Sequence, residues 1–266
     1  MLNLLRRLAA RHATFLAISM ILFGGFEFLM CVLVITVNIS GAVGEIMKSL
    51  PPSIQSMLGE EFLGGLTTRG ILAFGWNHPI AQALGTAMAI VLGTRGFAGE
   101  IESGTMELLL SQPLSRMSYF FTQTLFAVSA LAALSLAGVV GTIIGQNVFE
   151  LARFEVRTLL ELAFNFFLLQ SAWFGITLAF SVFGRESGRV ASAAFFLALI
   201  SYLVQAIGRL WPAAAFLLPY SLHNYYSPQA MLVESRPMGK SLLVLFSVLV
   251  LSVGFAAWRF QRRDIP

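Results

Sequence analysis

The stretch LFAVSALAALSLAGVVGTIIG (125–145) carries no charged side chain and is apolar on every side, with no alternation of apolar and polar residues. A strand of a membrane barrel alternates over about ten residues, and the helix of a soluble protein keeps a polar face. A helix that is apolar all round for about 20 residues is one that crosses a bilayer core. Outward from this stretch the uncharged run extends over residues 117–149, 33 in all. Four more uncharged intervals follow the same rule, at 70–94, 162–184, 190–208 and 241–258, with 25, 23, 19 and 18 residues. A sixth apolar stretch, 15–37, is interrupted only by Glu27. The expected fold is therefore an all-α membrane protein with six transmembrane helices, forming one domain over 1–266. The spans are expected at about 15–38, 79–94, 117–145, 160–184, 190–209 and 241–258.

Composition supports that reading. Of 266 residues, 57% are hydrophobic and 11% charged, whereas soluble domains are about a quarter charged. The lone Cys31 permits no internal disulfide and supplies no metal cluster. The net charge of +4 is spread without a basic run or a basic-aromatic stripe, which excludes nucleic acid as a partner. Lysine and arginine in alternate loops divide ten to seven, and the two densest clusters, three arginines each, flank the first and last spans. The positive-inside rule then places both termini in the cytoplasm.

The loops differ in texture. Leu2, Leu4, Leu5 and Leu8 oppose Arg6, Arg7 and Arg11, which predicts a short N-terminal interfacial helix ahead of an uncleaved first span. Pro79 suits the first turn of a helix, so the second span is expected to start there. The external segment 210–239 opens with WPAAAFLLPYSLHNYY, apolar but broken by Pro212 and Pro219, and reads as a re-entrant hairpin with aromatic anchors.

The most informative stretch is the loop RGFAGEIESGTMELLLSQPLSR (95–116). Residues 104–111 have room for two helical turns before Pro113 stops them, and Met106, Leu109 and Leu110 would share one apolar face. So short a helix with such a face fits a groove on another protein.

This loop resembles that of the type-2 permease subunits of ATP-binding cassette transporters, in which E-x-x-x-G-T-x-E-x-L-L-x-x-P-x-x-R joins the second and third spans. Glu100, Gly104, Thr105, Glu107, Leu109, Leu110, Pro113 and Arg116 occupy that frame. The amphipathic start, the long first external loop and the PYSLHNYYSP segment (219–228) are similar to the same family. The resemblance implies an exporter subunit in a bacterial inner membrane, a homodimer or a pair with a similar permease. Its loop would act as a coupling helix on separate ATPase subunits that bind the ATP and magnesium, with no cofactor in this chain and membrane lipid around it.

Other chemistries find little support. A phosphate loop ending in Gly239-Lys240-Ser241 would need glycine where Glu234 stands. Glu60-Glu61 resembles the paired glutamates of membrane proteases, but Gly65 holds the arginine position, and no G-x-S-x-G surrounds a serine. Glu27 stands apart, because a carboxylate in mid-span costs roughly 2.5 to 3.5 kcal/mol to insert. It marks a translocation path or dimer seam, or else a structural hydrogen bond without a transport role. In the alternative functional reading, an ATP-independent secondary transporter, it would be a proton or ion site.

Overall fold

The computed structural model describes residues 2–36, 67–106, 115–232 and 239–263. Among the described residues there is no strand, and six helical segments are long and apolar enough to cross a membrane.

Helix α1 runs unbroken over Leu2–Thr36. Its 35 residues span about 52 Å at 1.5 Å per residue, well beyond a hydrocarbon core of about 30 Å. The separate N-terminal helix expected from the leucine-arginine pattern is thus the first turns of the same helix. No glycine or proline precedes Gly24, and alanine, leucine and arginine all favour helix, so nothing divides the two.

The second span also differs from expectation. Pro79 does start a helix, α3 (Pro79–Thr94), with the His78 ring nitrogen accepting from the Ile80 amide at 3.2 Å. Before it lies α2 (Thr68–Asn77), capped by the Thr67 hydroxyl, which accepts from Gly70 N at 3.1 Å. The residue preceding a proline avoids helical geometry, and His78 is extended at ψ 142°, which bends the path between the two helices. The 16 residues of α3 cover only about 24 Å, and α2 supplies the rest of the crossing.

A π-helical turn (Arg95–Gly99) and a single turn, α4 (Glu100–Glu102), complete this path. Then follow α5 (Arg116–Val148), α6 (Val156–Ser181) and α7 (Ser187–Leu210). Two 3₁₀ segments, Pro212–Tyr220 and Leu222–Tyr225, lead to α8 (Pro228–Leu232) and α9 (Gly239–Gln261).

Helix α6 is the centre of the bundle, packed against α3, α5, α7 and α9, with Phe166, Leu169, Trp173 and Phe174 buried on its sides. Helix α1 lies along α5. Glycines make that contact close: a Cβ on Gly141 would stand 2.0 Å from the Gly24 carbonyl oxygen, and one on Gly145 2.5 Å from Cys31 Sγ. Leu243, Phe246 and Leu251 of α9 and Ile18, Ile21 and Leu29 of α1 remain exposed, as apolar side chains facing lipid do. The 3₁₀ segments double back on α7, where Gln205 donates to the His223 carbonyl at 2.9 Å and the Ser201 and Ser221 hydroxyls meet at 3.1 Å.

Candidate functional site

The loop after α3 leaves the bundle through a stem, residues 95–106, that is fastened to its neighbours at every turn. In the π-helical turn, Ala98 N donates to Ser181 Oγ of α6 at 2.9 Å, and the Gly96 carbonyl accepts from Tyr119 Oη of α5 at 2.6 Å. Phe97 is buried among Tyr119, Phe120 and Phe260, with ring centroids 5.0 to 5.7 Å apart. Single π turns of this kind recur at functional sites of helices.

Helix α4 then closes in a Schellman motif. Thr105 N donates to the Glu100 carbonyl at 3.0 Å and Gly104 N to that of Ile101 at 3.1 Å. Gly104 takes φ +67°, the left-handed position that favours glycine. The Thr105 hydroxyl also donates to the Glu100 carboxylate. Glu100, Gly104 and Thr105 are therefore one structural unit, in which the Gly-Thr pair ends the stem helix immediately before Met106.

The carboxylates of α4 reach two further spans. Glu100 is buried and its Oε1 accepts from Arg11 Nη1 of α1 at 2.5 Å. Glu102 Oε2 accepts from the Ser187 amide at 2.9 Å and the Ser187 hydroxyl at 2.5 Å, at the N-terminus of α7 where the helix dipole favours an anion. At the other edge of the loop the Ser115 hydroxyl caps α5, and Arg116 donates to the Arg263 carbonyl at 2.6 Å. Arg263, just past α9, is itself buried and donates to the carbonyls of Val182 at 2.6 Å and Gly184 at 3.0 Å, closing the C-terminal end of α6. Burial first, then Arg259 and Arg185, hold its guanidinium below its ordinary value. Contacts from all six spanning segments meet at this end.

Of the residues singled out by sequence, Glu107, Leu109, Leu110 and Pro113 lie outside the described residues. Met106, expected on an outward apolar face, is instead buried in the hydrophobic core of its own chain. It directly follows the Schellman turn, which folds it back toward the bundle. Arg11, Tyr119, Ser181 and Ser187 were missed as partners of the stem, and Arg263 as the partner of Arg116. Arg11 entered the reading only as a topological charge, and the hydroxyls carry no motif of their own.

Glu27 occupies a different level of the bundle, 16 residues along α1 from Arg11, or about 24 Å. It is fully buried, facing inward, and neither carboxylate oxygen has a hydrogen-bond partner. A Cβ on Gly75 of α2 would lie 3.1 Å from its Oε2. Below it Phe23, Trp76, Phe166 and Tyr226 form an aromatic cluster with centroids 4.9 to 5.8 Å apart. Tyr226 Oη donates to the Trp76 carbonyl at 3.1 Å.

Buried amides line the interior beyond. Gln82 Nε2 donates to the Trp76 carbonyl at 3.1 Å, Gln170 Nε2 to Gln82 Oε1 at 3.3 Å, and the Thr86 hydroxyl to Gln170 Oε1 at 3.1 Å. They border a cavity of about 370 Å³ between α3 and α7, mostly apolar, into which Gln82, Thr86, Tyr202 and His223 bring the polar groups.

The family model for ABC-2 family transporter proteins matches residues 10–265. No curated protein matches the chain.

Proposed function

The chain belongs to the ABC-2 family of transporters, and from that premise we propose that it is an exporter permease driven through its 95–116 loop. It is the membrane permease subunit of an ABC transporter, partnered in general terms by ATP-binding subunits. In the proposed form, residues 104–111 are a coupling helix seated on the ATPase. Glu107, Leu109, Leu110 and Pro113 carry its contact, and Glu100, Gly104, Thr105, Met106 and Arg116 hold its root. ATP and magnesium stay on the ATPase subunits, and two permease copies, or this chain and a similar one, enclose the path in a bacterial inner membrane.

The observation that carries this reading is the fastening of the stem. A loop bound only to water would move without consequence. Here a displacement of α4 acts on α1 through Arg11–Glu100 and on α7 through Glu102–Ser187, while the π turn acts on α5 and α6. Such rigid-body shifts of packed helices are how closure at one site changes access at another. The cavity between α3 and α7 supports passage of a largely apolar substrate with a few hydrogen-bonding groups.

The reading requires the stem to face the compartment that holds ATP. Cysteines placed at Ser187 or Gln261 are expected to react only with reagents that enter the cytoplasm, and one at Ser227 with impermeant external reagents. The reverse pattern would put the loop out of reach of any ATPase and end the proposal.

The unpartnered carboxylate supplies a second test. Glu27→Gln should change transport while the protein still inserts, and Glu27→Leu should raise membrane yield, since the penalty of roughly 2.5 to 3.5 kcal/mol for an intramembrane carboxylate disappears. Normal transport by the leucine variant would leave Glu27 no part in the path.

A further inference from the structure

Among the described residues at the stem end of the bundle, arginines outnumber carboxylates. Glu100 is paired with Arg11 and Glu186 with Arg189 at 2.8 Å, while Glu102 accepts from Ser187 and keeps its charge. Arg185, Arg259 and Arg262 have no ion-pair partner among those residues. Arg259 and Arg262 lie one turn apart at the end of α9, and Arg185 is two residues from the Phe183 ring on which Arg259 rests.

Two of the three rest on aromatic rings. The Arg259 guanidinium lies 5.1 Å from the Phe183 ring centroid and that of Arg262 4.8 Å from Trp258. Phe255 joins the floor, 5.9 Å from Phe183 and 6.0 Å from Trp258, and all three rings remain about half exposed. Along α9 the residues Leu251, Phe255, Trp258 and Arg262 recur at helical spacing, so one stripe runs from exposed leucine through aromatic rings to a guanidinium. That is the polarity profile of a phospholipid, acyl chain to phosphate, in the order in which it would lie against a span. Guanidinium groups match phosphate oxygens in geometry as well as charge.

We propose that Arg185, Arg259 and Arg262, over the Phe183–Phe255–Trp258 floor, bind the phosphate headgroup of an anionic phospholipid whose acyl chains lie along α9. Three guanidiniums without an ion pair among the described residues repel the ammonium of a zwitterionic headgroup and leave the anionic lipid preferred. Continuity of the rings with the lipid-facing stripe favours a lipid over a soluble acidic protein. Membrane attraction of about 1 kcal/mol per basic residue corresponds to roughly a fivefold change in lipid affinity for each arginine.

Trp258 is a built-in reporter. Trp76 and Trp173 are buried, and replacing the exposed Trp211 by phenylalanine leaves Trp258 as the accessible indole among the four tryptophans of the chain. In phosphatidylcholine vesicles carrying a few mole percent of brominated-chain lipid, brominated phosphatidylglycerol should quench Trp258 well beyond brominated phosphatidylcholine. Each Arg→Gln change at 185, 259 or 262 should weaken that preference about fivefold, the triple variant should lose it, and the triple Arg→Lys variant should keep most of it. Single variants carry the same test if the triple one does not insert. Equal quenching by the two lipids, or an unchanged preference in the glutamine variants, overturns the proposal. So does a triple glutamine variant that loses only its ATPase subunit, which would assign the patch to a protein.

Discussion

Replacing Gly141 with valine is expected to unseat α1 from α5 and to leave little protein recoverable in folded form. A Cβ at Gly141 would fall 2.0 Å from the oxygen, 2.7 Å from the carbon and 2.9 Å from the Cα of Gly24, all backbone atoms that cannot rotate aside. On either side, a Cβ at Gly138 would meet Phe23 at 2.5 Å and one at Gly145 would meet Cys31 at 2.5 Å. The two helices thus touch along a line where only glycine fits, the arrangement by which membrane helices gain close packing without a hydrophobic driving force. Overpacking of a core costs about 1 to 3 kcal/mol when side chains can adjust, and a backbone contact leaves no such relief. Helix α1 is held elsewhere by Arg11–Glu100 and by Phe23 against Trp76 and Phe166, while its outward residues are exposed. Thermal unfolding in detergent, followed by monodispersity, should show a large loss for Gly141→Val and a smaller one for Gly141→Ala. Gly254→Ala, where a Cβ meets nothing within 4 Å, should be neutral. Equal melting of Gly141→Val and the unsubstituted chain would mean that α1 does not pack on α5 as described.

The second large effect is expected at the loop. Leu109→Asp would carry a carboxylate into the groove that the proposed coupling helix occupies. An unpaired charge buried in an interface costs about 3 to 5 kcal/mol, which lowers affinity for the ATPase subunit by roughly 200- to 5,000-fold. Insertion and thermal stability of the permease should not change, because the stem is held by Arg11, Tyr119, Ser181 and Ser187 rather than by Leu109. An ATPase bound as tightly by the variant as by the parent chain would remove the loop helix from the mechanism.

Much of the helical architecture was legible because a bilayer excludes charge. The uncharged run 117–149 matches α5 to within one residue at each end, and Pro79 marks a helix start because its ring suits a first turn. Helix α2 was hidden, since Arg69 and three glycines or near-breakers in GILAFGWN make it read as loop, and only its buried Ile71, Leu72 and Trp76 show otherwise. Lengths of uncharged runs say nothing about rotation of a helix on its axis. The inward direction of Glu27, the α1–α5 pairing and the Arg11–Glu100 pair, 89 residues apart, were therefore beyond that reading. Gly138, Gly141 and Gly145 at helical spacing were the available signal for the close face of α5. At the loop, the motif named Glu100, Gly104 and Thr105 but not how they meet. Glu100, Gly104 and Thr105 are joined in a helix-ending turn by hydrogen bonds that the pattern of letters does not show.

The central claim, that motion of a separate ATPase enters the bundle through the 95–116 loop, is tested most directly by purifying the chain from its native membranes and identifying what stays bound. The account predicts a soluble P-loop ATPase recovered with the parent chain and lost with Leu109→Asp at equal membrane yield. Recovery of the permease alone, with transport that follows a proton gradient and needs no ATP, would contradict it.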